Sequence, residues 1–438
     1  MKRVVLGWAL CLGSGSAVPA LAQAPAATTK PLTLLDAITL GRQRGVEEAI
    51  ARLNARAAEA RVGQRRAELL PNINGQGSFT RQTLNLAEFG FPGISGITDP
   101  FNVYSFQLRA SQTLFDASAI ARLRAGRDTA AAAGLDAQAV GEISGATAGV
   151  AYLRLLSAQE TVQARTADSI VAAELLNQAR QLVNAGVNPA IDATRSEVSF
   201  ASVRTQLEIA RNSANRAELD LVRALDLPSG SKLQLADSLG ITPLSIPREP
   251  DAAASFAREH RAELAAERSR TRAARRDLSA IRYEYLPSLG INGGYRESAR
   301  DLGALAGSYN LQLLLTVPIL DGFRRQNRVK EQQARLEIQE IRERDLTNQV
   351  ETEARQAVLD VASAEQQVSI ARERVRLAEQ ELSEAQERFR AGVAGSVETT
   401  NAQSSVIAAR DAMIQARVNY GTARVSAYRA LGVIDQLH

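Results

Sequence analysis

The chain is written twice. Leu70-Pro71-Asn72-Ile73 returns as Leu286-Pro287-Ser288-Leu289, and Tyr104-Ser105-Phe106-Gln107-Leu108 as Tyr309-Asn310-Leu311-Gln312-Leu313. Leu114-Phe115-Asp116 is matched by Ile319-Leu320-Asp321, Ala185-Gly186-Val187 by Ala391-Gly392-Val393, and Arg223-Ala224-Leu225 by Arg429-Ala430-Leu431. The offset is roughly 205 residues, except at the prolines, where it is about 216. The difference falls in the Gly- and Pro-rich stretch 87–100, which reads as a surface loop. A period this long is not that of a solenoid repeat, so the fold must be built from two copies of one large unit. The spacing predicts a first repeat over 23–228 and a second over 251–438. Between them, 229–250 reads as a linker, with Pro228, Pro243, Pro247 and Pro250 in and around it.

Each unit reads helix, strand, strand, very long helix, tight turn, long helix. Long helices are expected at about 118–183 and 190–226 in the first copy, and at about 322–390 and 396–431 in the second. The two longer ones lack proline and are dense in Ala, Leu, Arg, Glu and Gln, the best helix formers. At about 1.5 Å per residue each would be on the order of 100 Å long. Val361, Val368, Val375, Leu382 and Phe389 recur every seventh residue, as do Ile407, Ile414, Gly421 and Tyr428, and Val406, Met413 and Tyr420. A strict seven-residue repeat keeps one stripe on a partner only if the helices supercoil. Taken alone, this pattern also fits a structural rod or an adaptor with a helical hairpin.

The strands decide against a rod. Segments at about 72–82, 102–115, 287–297 and 308–320 alternate with period two. Ile73, Gly75, Gly77 and Phe79 oppose Asn74, Gln76, Ser78 and Thr80. Tyr104, Phe106, Leu108 and Ala110 oppose Ser105, Gln107, Arg109 and Ser111. Leu289, Ile291, Gly293 and Tyr295 oppose Asn292 and Arg296, and Tyr309, Leu311, Leu313, Leu315 and Val317 oppose Asn310, Gln312 and Thr316. Each is roughly ten residues, the length that crosses a bilayer at a tilt. Phe79, Tyr104, Phe106, Leu108, Ile291, Tyr295, Leu311, Leu313 and Leu315 are therefore expected to face lipid. Four strands leave two open edges, which hydrocarbon does not tolerate, and closure needs about eight. Two chains would supply eight strands and three would supply twelve; a lumen favours three. Both long helices leave directly from strands, so all helices must project to one side of the membrane.

The N-terminus names that side. Lys2 and Arg3, the apolar stretch Val4 to Leu12, and Ala20-Leu21-Ala22 form a secretory signal peptide, 1–22, cut before Gln23. The only cysteine, Cys11, leaves with it, so no disulfide or thiolate metal site is expected. No later run of 18 apolar residues offers a helical membrane span. The tunnel of helices would then lie in the periplasm. The formal charge of +4 reflects interleaved arginines and acids, and aromatics are 4% of the chain, which argues against nucleic acid as a partner. His260 and His438 are the only imidazoles. With no H-E-x-x-H, no nucleophile elbow, no Walker loop and no dinucleotide fingerprint, an enzyme is not expected, nor a cofactor.

Two helix-turn-helix tips, Leu182-Val183-Asn184-Ala185-Gly186-Val187 followed by Ile191-Asp192, and Phe389-Arg390-Ala391-Gly392-Val393 followed by Val397-Glu398, carry a resemblance. With the duplicated order of elements, they make the chain similar to the TolC family of outer-membrane efflux proteins, from about Leu32 to Val433. The resemblance implies a mainly α fold with a small membrane β-barrel: a homotrimer whose twelve-stranded barrel continues into a helical coiled-coil tunnel. It implies a passive outer-membrane duct for small molecules in a tripartite pump, joined to an inner-membrane transporter by a periplasmic adaptor. A type I polypeptide secretion system is the alternative. It implies that Val183, Gly186, Val187, Phe389, Gly392 and Val393 dock the adaptor, and that Asp192, Glu398 and Asn401 ring the closed entrance. Each glycine is equally needed to end its helix with a positive φ, and Asp192 also suits a helix N-terminus. Asn401 is neutral where the family's best-known member has an acid, and Ala394 stands where that member has a basic latch. Arg195 and Arg390 are the expected substitutes. A methionine-lined copper path is disfavoured, because Met413 is the only methionine after the start.

Overall fold

The structure, a computed structural model, describes residues 31–86, 96–240 and 245–437. The expected signal peptide lies outside them, as does most of the loop at 87–100. The first repeat comprises α1 (Leu34–Arg44), α2 (Val46–Ala67), β1 (Asn72–Gln82), β2 (Phe101–Phe115), α3 (Ala117–Asn184) and α4 (Ala190–Ala224). The second comprises α5 (Pro250–His260), α6 (Ala262–Tyr283), β3 (Ser288–Ala299), β4 (Ala306–Thr316), α7 (Arg324–Arg390) and α8 (Ser396–Ala430). In both copies the entry helix breaks where one residue turns extended, Gly45 in one and Arg261 in the other. Among the described residues no helix is long and apolar enough to cross a membrane.

The four strands form one antiparallel sheet in the order β1-β2-β3-β4, so the two repeats are joined through β2 and β3. Register fixes the faces. Phe79 lies opposite Tyr104, Leu108 opposite both Gly75 and Tyr295, and Tyr295 opposite Tyr309. Phe106 lies opposite Gly77, Ile291 opposite Leu313, Leu289 opposite Leu315 and Gly293 opposite Leu311. Because directly opposed residues share a face, all nine residues expected at lipid stand on one side of the sheet. The outer edges of β1 and β4 have no partner strand among the described residues. One expectation is corrected: β4 stops at Thr316 rather than running to 320, because Pro318 has no N–H for the ladder. The chain then turns through Asp321, and two left-handed residues, Gly322 and Phe323, swing it into α7. The Asp321 carboxylate accepts from the Arg325 backbone N–H at 3.1 Å and from its Nε at 2.7 Å. Its counterpart Asp116 caps α3, accepting from the N–H groups of Ser118 (2.8 Å) and Ala119 (3.0 Å).

The helical seams follow the heptads. Along α7, Val361, Val368 and Phe389 are buried, with Val375 and Leu382 packed between them. A second row, Ala364, Ala371, Ala378 and Ala385, is buried three residues further on from Val361, Val368, Val375 and Leu382. Large and small residues alternating every three and four give a narrow seam that lets α8 approach, where Val406, Met413 and Tyr420 answer it. Small residues also bring α1 against α3: a Cβ on Gly41 would lie 2.5 Å from the Ala148 Cβ.

The linker is a packed part of this core. Leu32 pairs with Leu235 as a short parallel bridge. Leu239 and Ile246 are buried, and the Asp237 carboxylate accepts from the Leu34 N–H at 2.7 Å and the Tyr152 hydroxyl at 2.9 Å. Such polar ties lock the waist of the molecule between repeats.

Candidate functional site

The far end of the helices carries two hairpin tips side by side. At the end of α3 the Gly186 N–H donates to the Val183 carbonyl (3.0 Å) and the Val187 N–H to the Leu182 carbonyl (3.0 Å). At the end of α7, Gly392 donates to Phe389 (3.1 Å) and Val393 to Arg388 (3.1 Å). Both are Schellman caps, which need a left-handed residue, and φ is +74° at Gly186 and +72° at Gly392. A Cβ on Gly392 would meet Val187 Cγ1 at 3.4 Å, so the two tips touch. Val187, Ile191, Val393 and Val397 leave large apolar surfaces in the open, Val393 with 72% of its area. Val183 is half-buried, and Phe389 is 1% exposed. Phe389 therefore closes the α7–α8 seam from within, whereas the sequence placed it on the docking surface. A seventh-residue heptad position wins over proximity to the turn.

The three expected gate residues are placed differently from one another. Asp192, in the first turn of α4, is 4% exposed. Its carboxylate accepts from the Ser396 hydroxyl at 2.6 Å and the Asn188 amide at 3.1 Å, with the Arg195 guanidinium 3.9 Å away. Ser396 opens α8, so Asp192 pins the second tip to the first. Glu398, in the first turn of α8, keeps 42% of its side chain in solvent and meets Arg388 at 3.4 Å. Asn401 is exposed and lines a groove of about 630 Å³ between α4 and α8, with Arg195, Gln206, Val397 and Ser404. Arg195 stands beside Asp192, one turn along α4. Among the described residues the basic partner of Glu398 is Arg388, not Arg390. The signal was present in the duplication: Arg388 occupies the place that apolar Leu182 holds in the first copy.

Deeper in the tunnel wall lies a charged knot that sequence reasoning did not single out. Asp168 of α3 is buried and binds Arg165 at 2.9 Å and Arg410 of α8 at 3.0 Å. Arg165 reaches on to Asp411, and Arg410 to Glu379 of α7 at 2.8 Å. Three helices from both repeats are thereby tied at one point. Arg165 and Asp168 are three apart on one helix face, a spacing too common to mark them from sequence.

Comparison with known proteins now identifies the fold. The family model described as outer membrane efflux protein matches residues 39–226 and 253–433, one block per repeat. The chain belongs to the outer membrane efflux protein family. Protein CyaE of Bordetella pertussis is 28% identical over 421 residues, covering 90% of this chain and 84% of that protein. The pyoverdine export outer membrane protein OpmQ of Pseudomonas aeruginosa is 26% identical, covering 86% and 81%. The Campylobacter jejuni CmeC outer membrane channel superimposes with a TM-score of 0.80 at 17% identity, over 92% of this chain and 86% of that one. The open-state MtrE channel of Neisseria gonorrhoeae gives 0.76 at 18%, over 92% and 89%. As an outer membrane efflux protein, the chain is a channel component of the outer membrane with its helical tunnel in the periplasm, not an enzyme. Among the described residues no group of His, Cys, Asp or Glu is arranged to hold a metal ion.

Proposed function

We propose that three copies of this chain close one twelve-stranded barrel and form the passive outer-membrane duct of a tripartite efflux pump for small molecules. An inner-membrane transporter supplies the energy through a periplasmic adaptor. The observation that carries the reading is the sheet: one face apolar in register across all four strands, and two edges without a partner strand among the described residues. Unpaired backbone groups in hydrocarbon cost several kcal/mol each, so the edges of β1 and β4 must be met by neighbouring copies. In this assembly Phe79, Tyr104, Phe106, Leu108, Ile291, Tyr295, Leu311, Leu313 and Leu315 face lipid. Two of the relatives are named for pyoverdine export and toluene efflux, which supports small molecules over polypeptides as cargo.

At the other end, the exposed Val187, Ile191, Val393 and Val397, set around Gly186 and Gly392, form the docking surface for the adaptor's hairpin. Glu398 and Asn401, repeated three times, line the closed entrance, with the Glu398–Arg388 pair as its latch. Asp192 acts from behind, by fixing where α8 begins.

The test is the purified protein in detergent. A heat-sensitive species of three-chain mass that inserts into planar bilayers and conducts supports the duct. A monomer that stays soluble without detergent overturns it. Mild cross-linking in cells and identification of the inner-membrane protein recovered then separates drug efflux from polypeptide secretion.

A further inference from the structure

The sheet's second face carries an asymmetry that the duct reading does not require. On the polar side stand Asn72, Asn74, Gln76, Ser78, Thr80 and Gln82 of β1, facing the odd-numbered residues of β2. The same parity selects Ser288 to Ser298 on β3 and Ala306 to Thr316 on β4. Within these strands that face holds two charged side chains, Arg109 and Arg296, and no carboxylate. Arg109 lies opposite Gly294 on one side and Asn74 on the other. Arg296 lies opposite Gln107, to whose side-chain oxygen it donates at 3.2 Å. The two arginines are thus diagonal neighbours on adjacent strands, two residues apart in register near the middle of β2, and both exposed. Neither has a carboxylate partner among the described residues, and their neighbours are neutral hydrogen-bonding groups. The acid in these strands, Glu297, is on the apolar face at the loop end, held by the Tyr295 hydroxyl at 2.7 Å.

We propose that Arg109 and Arg296 form an anion-binding belt at mid-height of the barrel lumen, selecting for small solutes that carry carboxylate or phosphate groups. The inference rests on the duct reading, in which the polar face lines the lumen and three copies bring six guanidinium groups into one band two residues deep. Twelve strands about 4.8 Å apart and tilted by roughly 40° give a backbone radius of about 12 Å. Arginine side chains reaching inward from that wall leave the lumen within roughly one Debye length, ~8 Å at physiological salt, of a fixed positive charge. Low-dielectric walls focus such a field, and a planar guanidinium grips carboxylate and phosphate oxygens two at a time. The belt opposes the acidic entrance at Glu398 in sign. A solute leaving the periplasm would pass a cation-favouring mouth and then an anion-favouring barrel.

The experiment uses the full-length trimer in planar bilayers, with inorganic pyrophosphate or citrate added on the extracellular side, where the barrel is met first. Wild type is expected to show current block by both anions, weakened about tenfold or more in R109Q/R296Q, with a shift of reversal potential toward cation selectivity. Block by pyrophosphate alone assigns the belt to phosphate groups, and block by citrate alone to carboxylates. R109Q and R296Q singly are expected to lose part of the block, which covers failure of the double variant to assemble. Equal block and equal selectivity in wild type and the arginine variants overturn the belt while leaving the duct standing. A protein that never conducts overturns the duct, and the belt with it.

Discussion

The two tips are the same device built twice, and their acids have parted company. Residue for residue, Leu182, Asn188, Ala190, Asp192 and Arg195 in the first correspond to Arg388, Ala394, Ser396, Glu398 and Asn401 in the second. The caps are alike, with glycines at φ +74° and +72°. In the first tip the acid is short, and its own loop supplies the Asn188 amide while the other tip supplies the Ser396 hydroxyl. It is drawn inward. In the second tip the amide has become Ala394 and the acid is longer by one methylene. An arginine stands on the outer face in place of leucine, and Glu398 is drawn outward to it. Duplication conserves the backbone solution, whereas the polar partners decide whether a carboxylate becomes a staple or a surface charge.

That difference predicts unequal costs. Asp192→Ala removes a buried acceptor and leaves the Ser396 hydroxyl and Asn188 amide unsatisfied, at about 1–3 kcal/mol for a buried group of this kind. Glu398→Ala breaks an exposed pair, worth roughly 0–1 kcal/mol. Thermal unfolding of the detergent-solubilised assembly should place D192A several degrees below wild type and E398A within about one degree. Equal shifts would break the comparison. Valine at either tip glycine forces a β-branched residue into the left-handed region, a cost of roughly 1–2 kcal/mol. At Gly186 a Cβ meets nothing, whereas at Gly392 it meets Val187 at 3.4 Å. G392V is therefore expected to lose export almost completely with trimers retained, and G186V to lose less. Full export by G392V would remove the tip from the docking surface.

Most of the architecture was legible because period and length are global properties. Heptads running the length of a helix, and four segments alternating in two, survive any uncertainty at one residue. The sheet faces came out as expected for the same reason: a register slip would have moved every side chain to the opposite side. The site was legible only in part. Which way Asp192 points depends on Ser396, some 200 residues away, and no local pattern announces a partner at that distance. Phe389 was misplaced because two rules competed there, closeness to a turn and membership of a buried stripe, and the stripe prevailed. The knot of Arg165, Asp168, Glu379, Arg410 and Asp411 needed three helices in place before its spacing meant anything.

A second carboxylate sharpens the rule that the first repeat turns its acids inward. Glu142 of α3 is 3% exposed, while its counterpart in the second repeat, Asn348, is exposed. Burial, reinforced by Glu263, pushes the Glu142 carboxyl up to about 7 against the opposing pull of Arg42, Arg261 and the Gln138 side chain. The native state then holds a proton that the unfolded chain has already released. Stability contributed by this group is present at low pH, declines as pH rises through the window from about 4.5 to about 7, and stays lost above it. Glu142→Gln keeps the neutral form at every pH. The wild-type melting temperature is expected to fall by a few degrees more than that of E142Q between pH 5 and pH 8. Parallel curves for the two proteins would show that Glu142 reaches water through the groove beside α1.

A small effect on stability should accompany a plain effect on permeation. Glu398→Lys changes an exposed charge, so trimers should still form and melt within a few degrees of wild type. It also places lysine in the first turn of α8, where the helix dipole disfavours a cation by roughly 0.3–1 kcal/mol, and it sets that lysine against Arg388. Three such changes around one axis reverse the sign of the entrance. In a salt gradient the reversal potential of single channels should move toward anion selectivity. The corresponding change at the first tip, Asp192→Lys, would have to bury its charge beside Ser396, and is expected to disrupt the tip before it tunes anything. An unmoved reversal potential in E398K would mean that the exposed acid of the second tip is not at the mouth, and that the outward turn of its carboxylate serves only the bond to Arg388.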